Sequence, residues 1–455
     1  MHPCSRRQFT AALGLSPLLA AATARPNILF ILADDLGHAD LSCYGRRDYR
    51  TPRIDQLASE GVRFTQAYSN SSVCSPTRTA LITGRYQYRL PVGREEPIPT
   101  RGFLGGLPKA HPTLPSLLQA AGYHTSLVGK WHLGAAPGVG PLEFGYDDFF
   151  GYRSGGVDYF SHRAGGDLAD FWEGNTLVER PGYLTDLLGD RAEAIIDARA
   201  KDRRPFLLSL HFSAPHWPWE GPDDAALSGT MSSLAHYDGG SSATYARMVQ
   251  RLDARVGRVL DRLKQKGLAG NTLVVFTSDN GGERFSDTWP FSGRKTELLE
   301  GGIRVPTILR WPRKVEPGSI TDQVAITMDW LPTLLAAAGV IPDPAYPPDG
   351  INLLPALAGD TRPRTLFWRY RWQEQRAVRE GNWKLLRMAG NSFLFDVVKD
   401  PLERANLKAA YPEVFARLNA AYDAWNAGML PEDSKAYSHP SWADEEADRY
   451  GNRRP

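Results

Sequence analysis

NILFILADDLG, residues 27–37, opens as a run of strand length and stops at two adjacent aspartates. Asn27 to Ala33 shows no alternation of polar and apolar residues, so it reads as a strand buried on both faces, as in a parallel sheet. Asp34 and Asp35 then stand at its carboxyl end, the place where open α/β sheets bind ligands. Three more runs share this pattern. Thr272 to Thr277 leads to Asp279 and Asn280, Pro205 to Phe212 contains His211 and leads to His216, and Thr125 to Val128 leads into Lys130 and His132.

Helical patterns separate these runs. Thr113 to Ala121 ends at Gly122, Asp186 to Ala200 is a second segment, and Asp329 to Ala338 ends at Gly339. Thr244 to Lys266 is the clearest: Tyr245, Met248, Val249, Leu252, Val256, Val259, Leu260 and Leu263 form one stripe, and Gly267 closes it. Strands alternating with helices predict an α/β sandwich with a large, mostly parallel central sheet flanked by helices. After the proline-rich IPDPAYPPDG, residues 341–350, the runs shorten. A hairpin turning at Glu380-Gly381-Asn382, a strand in SFLFDVV and a closing helix from Pro412 to Ala427 predict a small C-terminal α+β subdomain with an antiparallel sheet. The division is therefore a catalytic domain at 25–350 and a subdomain with its tail at 351–455. The polar tail from about Ser434 reads as poorly ordered.

Charge and address narrow the function. Of 455 residues, 53 are Lys or Arg and 51 Asp or Glu, so there is no concentrated basic surface for nucleic acid. SRRQFT, residues 5–10, carries a twin arginine, an apolar run follows from Ala11 to Ala22, and Ala22-Thr23-Ala24 is an A-x-A cleavage pattern. Residues 1–24 thus read as a bacterial twin-arginine signal cleaved after Ala24, with export to the periplasm or the exterior. The apolar run is too short to cross a bilayer, and no later segment reads as a membrane span. Cys4 leaves with the signal. Cys43 and Cys74 remain, and a disulfide between them stays open.

The polar strand ends carry the chemistry. Adjacent carboxylates repel unless a cation sits between them. Asp34, Asp35, Asp279 and Asn280 are oxygen donors that suit a hard ion, Ca²⁺ or Mg²⁺, although each pair alone also fits an ordinary turn. In SSVCSPTRTALITGRY, residues 71–86, Ser75 reads as an N-cap, Pro76 as the first helical position and Gly84 as the stop. Cys74 then sits at the positive end of a helix dipole, with Arg78 one turn on and able to reach back to it. Lys130 and His132 are two apart and, if extended, face the same way, a cation and a proton donor suited to an oxyanion. His216 and Lys295 extend the set.

These residues resemble the formylglycine-dependent type I sulfatases of the alkaline-phosphatase-like superfamily, notably the arylsulfatases and N-acetylgalactosamine sulfatases. Cys74-Ser75-Pro76-Thr77-Arg78 followed by Thr83-Gly84-Arg85 is similar to their signature, and NILFILADDLG, TPRIDQLASEGVRFTQAY, GKWHLG, SAPHWPW, SDNGG, GRKTELLEGGIRVP and LFDVVKDPLERANL appear in family order. The resemblance implies that a maturation enzyme oxidises Cys74 to formylglycine. One hydroxyl of the hydrated aldehyde takes the sulfuryl group, and loss of a proton from the other releases sulfate. It also implies that Asp34, Asp35, Asp279 and Asn280, with residue 74, hold Ca²⁺, and that Arg78 steadies the hydrate. His132 would assist the elimination. Lys130, His216 and Lys295 would bind sulfate oxygens, with His216 or Lys295 as the acid for the departing oxygen.

The substrate expected from the resemblance is a sulfated carbohydrate, with aryl sulfates turned over as well. Trp217, Trp219 and Trp289 are candidates to stack on a sugar or aryl ring. Arg89, Arg94, His162 and Arg163 are candidates to read further negative groups on a glycan. Two other readings remain open: a phosphonate monoester or phosphodiester hydrolase of the same superfamily, and a sulfated-glycan-binding protein whose residue 74 is never matured.

Overall fold

The computed structural model describes residues 25–100 and 103–439. The expected signal at 1–24 and the end of the tail at 440–455 lie outside the described residues. A 10-stranded sheet runs in the order Ser319–Thr321, Val62–Phe64, Thr307–Arg310, Thr272–Ser278, Asn27–Ala33, Phe206–His211, His124–Lys130, Asp148–Tyr152, Trp172–Glu173, Thr176–Leu177. From Thr272–Ser278 to Asp148–Tyr152 neighbouring strands are parallel. Antiparallel pairing begins on each side of that block, with Thr307–Arg310 and with Trp172–Glu173.

Every residue of Asn27–Ala33 is buried. Ile28, Phe30 and Leu32 enter one core, packed with the helices Leu114–Ala120 and Trp330–Ala338. Leu29, Ile31 and Ala33 enter the other, with Leu184–Asp202 and Ser242–Gln265. Side chains alternate between two covered faces, so neither face tolerates a polar position, and the sequence shows a continuous run. The helices end on local chemistry. The Thr113 hydroxyl accepts from the Ser116 N–H, the Ser241 hydroxyl accepts from the Thr244 N–H, and Gly84 and Gly339 take left-handed φ of 67° and 68°.

The sheet is wider than the sequence reading foresaw. Asp148–Tyr152 is a fifth parallel strand that Gly151 hides from a pattern search. Val62–Phe64, Ser319–Thr321 and the short strands at the other edge carry too few residues to show a period.

A second sheet of four antiparallel strands, Thr365–Tyr370, Gln375–Glu380, Trp383–Met388 and Asn391–Asp396, lies near the C-terminus, and Pro412–Ala427 packs on it. The hairpin turns at Gly381, φ 57°, and Asn382. A buried charge cluster ties this sheet to the helix Glu300–Ile303 and to Tyr68. Lys384 Nζ lies 3.0 Å from Glu300 Oε1 and 2.9 Å from Glu403 Oε1, while the Tyr68 hydroxyl donates to Glu300 Oε2 at 2.6 Å.

The first part of the tail is docked, against expectation. Glu96 N–H donates to Tyr437 O, His439 N–H donates to Glu96 O, and Tyr437 N–H donates to Glu95 Oε2 at 2.8 Å. The Glu96 side chain accepts from Arg371 N–H at 2.8 Å and from the Ser438 hydroxyl at 3.2 Å. Burial pushes its carboxyl from 4.5 to about 7. Between those values the native protein keeps a proton that the unfolded chain has released, so this group makes stability fall as pH rises through the window. Glu96→Gln removes that titration. Across pH 4.5 to 7 its unfolding free energy is expected to drop less than that of the wild type, by roughly 1–3 kcal/mol, in denaturant titrations at each pH.

Candidate active site

Adjacent parallel strands deliver their polar ends to one place. Asp34 and Asp35 follow Ala33, Asp279 and Asn280 follow Ser278, and Lys130 is the last residue of its strand. The Asp35 N–H donates to Asp279 Oδ1 at 3.3 Å, and Asn280 Nδ2 donates to Asp35 Oδ1 at 2.7 Å. Cations surround these groups. Lys130 Nζ is 2.5 Å from Asp34 Oδ2, Lys295 Nζ is 2.6 Å from Asp35 Oδ2, and the Arg78 guanidinium meets Asp279 Oδ2 at 2.8 and 2.9 Å. All are buried.

The helix Cys74–Thr83 is buried along its whole length. It begins two residues earlier than expected. Cys74 is its first residue, Val73 caps it without a side-chain bond, and the Ser75 hydroxyl instead accepts from the Ile98 N–H at 2.8 Å. Cys74 Sγ lies 3.5 Å from Asp34 Oδ1. Burial pushes the Cys74 thiol well up, against the pull of Lys130 and with the help of Asp34 and Asp279. Cys43 and Cys74 are both free, which rules out the disulfide left open above. Arg78 does not turn back to Cys74 with its hydrogen bonds. The two carboxylate oxygens at the strand ends are stronger partners, and a further bond from Arg78 Nη1 goes to Lys130 O at 3.0 Å.

The donor set fits a hard divalent cation. Asn280 Oδ1 is buried and has no hydrogen-bond partner, a cost that an ion would relieve. Burial, then the charge of Asp279, pushes the Asp34 carboxyl up to about 8 despite Lys130 and Arg78. Asp34, Asp35, Cys74 and His216 each present a ligand atom, and these atoms lie within 4.8 Å of one another.

The histidines are oriented by carbonyls. His132 Nε2 lies 2.9 Å from Ile98 O and therefore carries the proton. Its Nδ1, buried and without a partner, is left as an acceptor. The strand has already ended at Lys130 and His132 has φ 55°, so the extended geometry expected for this pair does not hold. His216 Nδ1 points at Trp217 O at 2.7 Å, and its Nε2 is 3.6 Å from Asp35 Oδ2. Burial, then Lys130 for His132 and Lys295 for His216, holds both rings well below the usual histidine value. Burial pulls the Lys295 ammonium down, but Asp35 and Glu283 outweigh it and hold it above the usual lysine value.

Trp217 belongs with this group: its ring is 4.1 Å from His216 and lies under Lys295 Nζ at 5.7 Å. Other candidates do not. Trp219 is in the core against Phe285 and Tyr245, 1% exposed, and is closed to a sugar. His162 stacks on Phe171 at 4.6 Å, bonds Gly182 O at 3.1 Å and lines a separate cavity of about 320 Å³ with Arg163 and Arg180. Arg89, Arg94 and Arg163 are paired with Asp349, Asp433 and Asp167. Trp289 is exposed, on the chain between Glu283 and Lys295.

Several neighbours of the site escaped the sequence reading. Glu283 Oε2 sits 3.2 Å from Lys295 Nζ. Tyr152 is fully buried within electrostatic reach of Asp34 and Arg78. Gly155 and Gly156 lie so close to the His132 and His216 rings that a Cβ would fall 2.8 and 3.1 Å from them. The Gly-Gly pair in RSGGVDY was the available signal.

Oxygen donors for a cation, a helix-start side chain and converging ammonium and guanidinium groups describe an enzyme that handles an anionic ester. Comparisons with known proteins specify which. The Sulfatase family model matches residues 26–340, and the model for the N-sulphoglucosamine sulphohydrolase C-terminal region matches residues 293–424. N-acetylgalactosamine-6-sulfatase of Canis lupus familiaris is 33% identical over 388 residues, covering 80% of this chain and 72% of the relative. Arylsulfatase A of Homo sapiens is 34% identical, covering 86% and 80%. The crystal structure of Ps i-CgsB in complex with k-i-k-neocarrahexaose superposes with a TM-score of 0.83 at 28% identity, covering 95% of this chain and 98% of that one. The chain belongs to the sulfatase family and is a sulfuric ester hydrolase.

Proposed function

We propose that the protein is an exported carbohydrate sulfatase that hydrolyses sulfate monoesters of a glycan and accepts aryl sulfates as small substrates. The observation that supports it most is the meeting of four oxygen-bearing strand-end residues, one with a buried unpartnered oxygen, beside Cys74. Asp34, Asp35, Asp279 and Asn280, with residue 74, would hold Ca²⁺, Mg²⁺ being the alternative, and the ion when bound supplies Lewis-acid polarisation of a sulfate oxygen. A formylglycine hydrate at position 74, made by a separate maturation enzyme, supplies two hydroxyls on one carbon, one to accept the sulfuryl group and one to expel it.

The chain's own residues do the rest. Lys130 and Lys295, with His216 in the doubly protonated form that a bound anion favours, bind sulfate oxygens and offset the negative charge that grows on the group in transfer. Arg78 neutralises Asp279, and its charge would steady the hydrate at position 74. The unpartnered Nδ1 of His132 takes the proton whose loss frees sulfate. His216 or Lys295 protonates the departing oxygen. Trp217, against His216, offers an apolar wall for a sugar or aryl ring. The relatives named for galactosamine and aryl sulfates and the neighbour bound to a neocarrahexaose favour a sugar sulfate. Residues 25–350 form the catalytic domain in this reading, 351–455 the subdomain, and 1–24 the export signal.

The test uses one leaving group presented as a sulfate monoester and as a phosphodiester, then a panel of saccharides sulfated at different positions. Higher kcat/KM for the sulfate, and turnover of at least one saccharide, are expected. A strong preference for the phosphodiester would overturn the reading.

A further inference from the structure

Lys295 lies on a stretch with an unusual backbone. The next residue, Thr296, is β-branched and has φ 72°, in the left-handed region that such a residue avoids unless its surroundings impose it. Those surroundings are specific. Lys295 N–H donates to Gly282 O and Thr296 N–H to Ser72 O, each at 2.9 Å, which fastens one side of the bend to the segments that follow Asn280 and lead into Cys74. The other side is held by Gln375, the first residue of a strand in the C-terminal sheet. Gln375 Nε2 donates to Thr296 O at 2.8 Å and to Trp372 O at 3.1 Å, and its Oε1 accepts from Leu298 N–H at 2.7 Å. The side chain is fully buried. Carbonyls only accept and a backbone N–H only donates, so this pattern admits one orientation of the amide.

We infer that Gln375 is a positioning residue for Lys295: the C-terminal sheet, through this one amide, holds the strained bend that keeps the Lys295 ammonium on Asp35 and facing the sulfate site. Without it, Thr296 relaxes toward ordinary φ and the ammonium moves off. The inference rests on the proposed role of Lys295. It gives the C-terminal sheet a part in the reaction beyond packing, because no other described residue bonds both Thr296 O and Leu298 N–H.

The experiment measures kcat/KM for a sulfate ester, with melting temperature as control, in Gln375→Met, Lys295→Ala and their double variant. Gln375→Met keeps volume and removes both arms of the brace. It is expected to lower kcat/KM between about 10- and 100-fold in the wild-type background, the scale of misplacement by about 1 Å, and less than about 3-fold in the Lys295→Ala background. Thr296→Gly, which adopts the same φ without strain, is expected to restore much of the loss when added to Gln375→Met. That combination also supplies the measurement if Gln375→Met alone does not fold. Equal losses in both Lys295 backgrounds, or no rescue by Thr296→Gly, would make Gln375 a packing residue and overturn the inference. If Lys295→Ala keeps full activity, the proposed site itself fails instead.

Discussion

Cys74→Ala is expected to lower kcat on the order of 10⁴-fold or more, the scale seen when a covalent nucleophile is deleted, with little change in melting temperature because a small buried side chain becomes a slightly smaller one. Cys74→Ser separates the two halves of the reaction. A serine hydroxyl has the oxygen to take the sulfuryl group but lacks the second hydroxyl that expels it. The expected result is a single burst of alcohol, no steady turnover, and a peptide spanning residue 74 that gains the mass of one sulfuryl group. In protein from its native host, the unsubstituted peptide is expected to show the aldehyde in place of the thiol. Unmodified cysteine there, with steady hydrolysis of a sulfate ester, would remove residue 74 from the mechanism. Unmodified cysteine with no hydrolysis of any ester would favour the glycan-binding reading.

Asp279→Ala strikes two things at once. Its carboxylate meets the Arg78 guanidinium at 2.8 Å, and both side chains are at most 2% exposed. Removing one partner of such a pair leaves a buried uncompensated charge, at a cost of about 3–5 kcal/mol in unfolding free energy. The same change deletes an oxygen from the proposed calcium set. Loss of several kcal/mol of transition-state stabilisation corresponds to a fall on the order of 10³-fold in kcat. Calcium separates the two effects. At a hundred times its dissociation constant it is expected to add about 2.7 kcal/mol to the wild type and nothing to Asp279→Ala at that concentration. Asp279→Asn keeps volume and an acceptor for Arg78, so it is expected to lose more activity than stability. Full activity in Asp279→Ala, with an undiminished calcium response, would refute the proposed ligand set.

The middle of the sheet was legible because burial on both faces leaves a plain mark in sequence. Asn27–Ala33 and Thr272–Ser278 have no solvent-facing positions, so the first polar residues after them, Asp34 and Asp279, stand out, and two parallel neighbours necessarily end side by side. Where that constraint lapses, legibility lapses too. The edge strands are too short to carry a period, and Asp148–Tyr152 contains a glycine that reads as a turn. Proximity along the chain also misleads. His216 and Trp217 face the site, while Trp219, two residues on, is swallowed by the core. Ser75 looked like a cap because its type and position suited one, but a distant backbone N–H at Ile98 claimed it. Gln375 and Glu283 left no mark, since their significance lies in what a remote segment places opposite them.

The strand that anchors the molecule is made long before its neighbours. Asn27–Ala33 is paired on one side by Phe206–His211 and on the other by Thr272–Ser278. At a translation rate of 5–20 residues per second, roughly 10 to 50 seconds pass between the first and the last of these leaving the ribosome. Until Phe206–His211 emerges this seven-residue hydrophobic strand has neither neighbour, and for the rest of the interval one of its edges stays open. The nascent chain is therefore most exposed to aggregation early, and it depends on a chaperone or a provisional local collapse until the second flanking strand arrives.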